Sequence, residues 1–209
     1  MTAVLTETVT VTRVVAGSWD VRDALTATHV STGNAYDTPE VLKSVRIVKA
    51  GSELSFTSTD RWRLTVATLT LEADDNASDA PDWDALIHRD DVKRLIAALP
   101  KRATRGVAMP ISLTLTGRML TLDTGESTVS VSVQDGEFPK LASIIVSTTS
   151  PTESIAFNPG FMVDLCKMPG RERNVPVRLS LDGTTRPLRS GWQAGAVSYW
   201  HVIMPVRVS

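Results

Sequence analysis

Three separated segments concentrate the chemistry of this chain, and it is the chemistry of binding. They are Thr59-Asp60-Arg61-Trp62-Arg63-Leu64, then Glu137-Phe138-Pro139, then the tail Val202-Ile203-Met204-Pro205-Val206-Arg207-Val208. An indole between two guanidinium groups suits a recognition rim, although a tryptophan packs more often than it recognises. Met204-Pro205 reads equally well as the end of an edge strand. Bond-making chemistry has no comparable concentration. His29, His88 and His201 fall in unrelated places. There is no Gly-x-Ser-x-Gly elbow, Walker loop or His-Glu-x-x-His. His88-Arg89-Asp90 matches a kinase tripeptide in letters, without the Gly-rich loop and Asp-Phe-Gly that would give it context. The expectation is a binding protein rather than an enzyme, without metal or cofactor.

The 209 residues can bury one large core or two small ones. The 22 Lys and Arg nearly cancel the 23 Asp and Glu, whereas a conventional DNA-binding domain is basic. A basic stripe balanced elsewhere remains compatible with DNA. Cys166, the one cysteine, excludes an intrachain disulfide and suits a reducing cytoplasm; on a helix it reads as a small buried apolar side chain. No run approaches the ~20 apolar residues that span a bilayer. The first residues lack a basic region followed by an apolar run, so no signal peptide is expected.

Period-two alternation predicts strands over residues 8–15, 45–48, 54–57, 64–71, 111–116, 119–123, 127–133, 177–181 and 196–205. Helical spacing predicts three helices. The first covers 18–31, with Ser18 as N-cap. The second covers 89–100, with Asp90 and Asp91 in its first turn. The third covers 158–168, with Asn158 as cap and Pro159 at the first position. Trp19, Trp83, Trp192 and Trp200 are assigned to packing. The elements group into helix-plus-strands units of about 1–80, 81–145 and 151–209, a repeat of plan without a repeat of letters.

That repeat and the three opening segments together resemble bacterial DNA polymerase sliding clamps, the β clamp family. Residues 18–144 are similar to the family's middle domain. From 155 onward the chain resembles the second half of the last domain, with Phe157-Asn158-Pro159-Gly160-Phe161-Met162-Val163-Asp164-Leu165 at its helix start. The resemblance implies an α+β DNA-clamp fold, with repeated antiparallel sheets carrying helices on one face. It implies one complete domain over 1–145 and a half domain over 151–209. It also implies a peptide cleft of Leu42, Thr59, Arg61, Trp62, Arg63, Leu64, Pro139, Ile144, Val202, Met204, Pro205, Val206 and Arg207. The apolar members would take the Leu and Phe of a partner's tail, Met lending adaptability. Arg63 and Arg207 would hold peptide backbone or an acidic residue. The chain departs from the family at Arg61, where glycine is usual, at Trp62, where a small or imidazole side chain is usual, and at Ser143, where a basic one is usual.

Clamp helices touch DNA phosphates without reading sequence. The corresponding residues here are Arg22, Arg89, Lys93, Arg94, Lys101, Arg102, Arg105, Lys167, Arg171 and Arg173. The implied partners are double-stranded DNA, a DNA polymerase or other replication proteins carrying short motifs, and further copies of the chain; no membrane is expected. Two functions stay open. One is a small cytoplasmic processivity clamp, whose economical length suits a phage. Four such chains would supply the units of a full ring; the alternative is a compact dimer in which the third unit pairs with its copy about a two-fold axis. The other is a clamp-derived adaptor or decoy that binds motifs, or a host clamp, without encircling DNA.

Overall fold

The computed structural model describes residues 11–71, 81–101, 106–141, 155–170, 176–183 and 186–206. The first unit runs β1 (Val11–Gly17), α1 (Ser18–Val30), a 3-10 turn (Glu40–Lys43), then β2 (Ser44–Ala50), β3 (Glu53–Thr59) and β4 (Arg63–Thr70). The second repeats this order as β5 (Trp83–His88), α2 (Arg89–Ala98), β6 (Pro110–Thr116), β7 (Met119–Asp123) and β8 (Thr128–Ser132). The third is shorter, with α3 (Pro159–Cys166), β9 (Leu188–Ala194) and β10 (Val197–Ile203).

Each meander is antiparallel. Gly51 (φ +55) and Gly117 (φ +56) make the two-residue turns of β2–β3 and β6–β7, a left-handed geometry that glycine adopts without a Cβ clash. The first two units exchange their leading strands. β1 lies on β6 and β5 lies on β2, giving sheets ordered β1-β6-β7-β8 and β5-β2-β3-β4-β10-β9. The second sheet is therefore continuous from the first unit into the third, through β4 and β10. The domain reading of 1–145 and 151–209 thus describes two segments that share one sheet.

Alternation sorts the strands into two faces. Val45, Ile47, Leu54, Phe56, Ala67, Leu69, Val197 and Tyr199 point inward and meet α1 and α2 in one core with the inward residues of the other sheet. α1 packs on β3 and β4, α2 on β5 and β8, and the helices pack on each other. A second, smaller cluster of Leu165, Leu188 and Ile203 seats α3.

The three helices form where their spacing places them, and Asn158 caps α3 by accepting the Gly160 N–H at 2.9 Å. Four readings need correction. Gly17, not Ser18, occupies the N-cap of α1, because the Ser18 hydroxyl instead accepts the Met109 N–H at 3.1 Å. Residues 177–181 make only one isolated bridge, Ser180 to Arg189. Cys166 is exposed, because it ends α3 one residue past Leu165, which takes the buried face. Trp200 is also 45% exposed, since its register puts it on the outward face. β5 and β9 escape the alternation rule altogether.

Candidate functional site

The β4–β10 seam brings two of the opening segments together. Leu64 pairs with Thr59 on one side and Val202 on the other, so all three share the outward face. Leu64 and Val202 are 2% and 1% exposed and form a floor. Met204 and Pro205 are half-buried beside it, and Val206 is exposed. The Met204 N–H donates to the Trp62 carbonyl at 2.8 Å, which fixes the tail to the β3–β4 turn.

That turn is held by side chains. One Asp60 oxygen accepts the Trp62 and Arg63 N–H groups, each at 3.1 Å. Thr59 Oγ1 accepts the Arg61 N–H at 3.2 Å and donates to the Arg63 carbonyl at 2.7 Å. These bonds hold Arg61 at φ +80, among the described residues the one non-glycine in the left-handed region. A strained conformation kept by over-determination is common at binding sites. The turn lifts Trp62 to 59% exposure.

The third segment borders the same face. Phe138 and Pro139 cross it and, with Arg46, Thr57, Asp84 and Leu86, line a recess of about 770 Å³. Thr57 lines the recess and Thr59, two residues on, reaches the seam. Asp84 grips Arg46 through Nε at 3.0 Å and Nη2 at 2.6 Å, and this hydrogen bond raises the guanidinium pKa. Alternation along β2 could have shown Arg46 as outward-facing, but its partner sits on a strand that alternation did not reveal.

Leu42 is buried in the 3-10 turn, its carbonyl accepting the Gly33 N–H at 2.7 Å. Arg63 turns inward, because it pairs in register with Ile203, whereas Leu64 pairs with Val202. Its guanidinium bonds Asp60 at 3.0 Å and Asp164 of α3, and lies 4.7 Å over the Phe161 ring. It therefore joins the turn to the third unit. Ile144 and Arg207 lie outside the described residues. Beneath the seam, Thr65 Oγ1 links Ser31 Oγ and His201 Nδ1, each at 2.7 Å, joining α1, β4 and β10.

The cationic residues divide likewise. Arg22 bonds the Ile96 and Leu99 carbonyls at the end of α2. Arg89 donates to the Gly33 carbonyl at 2.6 Å. Both are spent on packing the first unit against the second. Lys93 and Arg94 are exposed and paired along α2 with Asp90 at 3.1 Å and Asp91 at 2.8 Å; such exposed pairs yield readily to a competing phosphate. Lys101 and Lys167 are exposed. Arg102, Arg105, Arg171 and Arg173 lie outside the described residues. Among the described residues no acidic, His and Cys group is arranged to hold a metal, and no helix is long and apolar enough to cross a membrane.

Sequence reasoning passed over His29. Burial, then the nearby Arg89 and Lys93 charges, lower its pKa from 6.5. The unfolded chain then takes up a proton near pH 6.5 that the folded chain refuses, so stability is lost as pH falls below that value. Thermal midpoints should fall between about pH 7 and 5, and the fall should flatten in His29→Gln. An equal fall in the variant would remove His29 as its source. Glu40 and Asp90, whose pKa values are lowered chiefly by hydrogen bonds from Lys43 and Lys93, act below this window.

Residues 15–140 match the family model described as DNA polymerase III beta subunit, central domain. A putative DNA polymerase III beta subunit from Eubacterium rectale superposes with a TM-score of 0.77 at 12% identity, covering 100% of this chain and 68% of that one. The sliding clamp of Bacillus subtilis gives 0.73 at 13% identity, covering 100% and 67%. The beta subunit of Thermotoga maritima gives 0.74 at 16% identity, covering 100% and 68%. At these identities the superpositions speak for the fold. No curated protein matches the chain.

Proposed function

Because the chain belongs to the DNA polymerase III beta subunit family, through that family's central domain, we propose that it works as a sliding-clamp-like processivity factor. A replication protein docks a short peptide tail on the outward seam, while cations at the helix ends attract duplex DNA without reading its sequence. The observation that carries this reading is the Leu64–Val202 pairing, which joins the β3–β4 turn and the tail on one face. Apolar side chains of the tail would settle above Leu64 and Val202, flanked by Met204 and Val206. Arg61 and Trp62 form the rim, where Arg61 offers charge-assisted bonds and the indole offers contact area. Thr59, Pro139, Pro205 and Leu42 complete the cleft, and the family resemblance alone assigns Ile144 and Arg207 to it. Arg63 contributes by holding the turn to α3. Such docking of linear motifs is modest in affinity and quick to exchange.

DNA attraction rests on Lys93, Arg94, Lys101 and Lys167, with Arg102, Arg105, Arg171 and Arg173. Arg22 and Arg89 act through helix packing. No catalytic step is assigned, and the work is done on DNA in the cytoplasm. The adaptor or decoy reading has its own support, since two of the ten cations are committed internally and the formal net charge is −1.

The test is a fluorescence-anisotropy titration of a labelled clamp-motif peptide. Met204→Ala with Val206→Ala removes the flanking apolar contacts yet spares the buried floor. Affinity should fall about tenfold, or ~1.4 kcal/mol. Unchanged affinity refutes the cleft. Extension by a polymerase on primed circular DNA then separates the two readings, because only a clamp lengthens the products.

A further inference from the structure

We infer that the third unit docks a second copy of itself across a two-fold axis, completing a domain that one chain leaves half built.

The rule of assembly is visible inside the chain. Each of the first two units lays the strand that leads its helix on the open edge of the other's meander, β1 on β6 and β5 on β2. The covered edges are tight: inward-facing Val45, Ile47, Ile111 and Leu113 are no more than 2% exposed. The two helices complete the closure by packing on each other.

Among the described residues the third unit carries the same parts without the counterpart. Residues 177–181 run beside β9, Ser180 and Arg189 exchanging backbone bonds of 2.8 and 3.0 Å. Arg189 shares the outward face with Val202, so Leu179 and Leu181 face inward. They occupy the position that Val45 and Ile47 hold in the first unit, yet are 40% and 42% exposed. Of its own residues α3 buries Leu165, leaving Val163 47% exposed. Among the described residues no strand or bridge pairs with the far edge of 177–181.

Residues 155–157 are the leading segment of this unit. In the second unit, Ile87 of β5 bridges Val133 just after β8. In the third, Ala156 bridges Val206 just after β10, and α3 begins three residues later. The tail-to-leading-strand bridge is the same. In the second unit it coexists with the pairing of β5 on β2, so the Ala156 bridge leaves the other edge of 155–157 able to pair.

The third unit therefore holds both halves of the exchange, a leading segment and an open edge. A copy related by a two-fold satisfies both at once, with α3 against α3. The contact is isologous and closes at two chains, and it covers a sheet edge that would otherwise invite unlimited pairing. Continued through β4–β10 in each chain, it makes an arc with the helices on one side. The inference stands on the fold alone, so its failure leaves the peptide reading in place.

The test is mass by light scattering on the full chain over a concentration series. An even-numbered assembly is expected. Leu179→Glu with Leu181→Glu should halve its mass, as should Val163→Glu on α3. Trp200→Glu, on the opposite face of the same sheet, should leave it unchanged. Circular dichroism checks that each variant is folded, and the two independent disruptions guard against one that is not. Single chains at every concentration, an odd stoichiometry, or a mass indifferent to both disruptions would overturn the inference.

Discussion

Arg63→Ala should cost about 3 kcal/mol of stability and release α3 from the β3–β4 turn. Arg63 is a three-way joint. It bonds Asp60 at 3.0 Å, pairs with Asp164 on α3, and lies over the Phe161 ring at 4.7 Å. Its side chain and that of Asp60 are each 13% exposed, so water screens little of the pairing. Truncation strands Asp60 without its cation, and that uncompensated charge outweighs the lost contact. The turn itself should survive, because Asp60 still accepts the Trp62 and residue-63 N–H groups. The damage is thus local: amide exchange in α3 should quicken while α1 and α2 keep their protection. Arg63→Lys should recover little, since one ammonium cannot reproduce the guanidinium fork or its flat stacking. Equal protection of α3 in wild type and Arg63→Ala would show that other contacts hold the third unit.

The same residue shows where sequence reading stops. Resemblance places Arg63 with the peptide cleft, and the segment that carries it does border the Leu64–Val202 floor. Its direction is set by register: pairing with Ile203 turns it inward, while Leu64, one residue on, turns outward. Register depends on a strand from the far end of the chain, which local pattern does not contain. Arg22 and Arg89 mislead for a related reason. Both look like helix cations, but their acceptors are carbonyls brought close only by the packing of the first unit on the second. Local pattern serves well where one face is wet and the other dry. Residues 119–123 alternate cleanly and form β7 with those bounds. β5 fails the rule because Ala85, Leu86 and Ile87 are buried in succession, Leu86 on the outward face beneath the crossing 133–141 segment, where its carbonyl accepts the Gln134 N–H at 2.7 Å. β9 fails because its buried residues include Arg189 and Ser190, made tolerable by Asp182 and by the Arg178 carbonyl at 2.9 Å. The exchange of leading strands, which defines the domain, has no local signature.

Gly170→Ala should be as damaging as the loss of Arg63, at the other end of the same joint. Gly170 follows α3 at φ +72, and an added Cβ would lie 2.2 Å from the Ala194 Cβ. Neither atom ends a flexible side chain, so backbone must move. The left-handed conformation adds about 1–2 kcal/mol for alanine, and forced overpacking adds about 1–3 kcal/mol. The segment displaced is one that matters: Met168 is 3% exposed, and the Pro169 carbonyl accepts the Trp192 indole N–H at 3.1 Å. Trp192 in turn stacks on Tyr199 with ring centroids 4.9 Å apart. The indole resonance of Trp192 should therefore move in the variant. Adding Ala194→Gly separates the two causes. It removes the atom that clashes but leaves φ unchanged, so much of the loss should return and about 1–2 kcal/mol should remain. If Ala194→Gly restores nothing, the close approach of the α3 exit to β9 is not what holds the third unit in place.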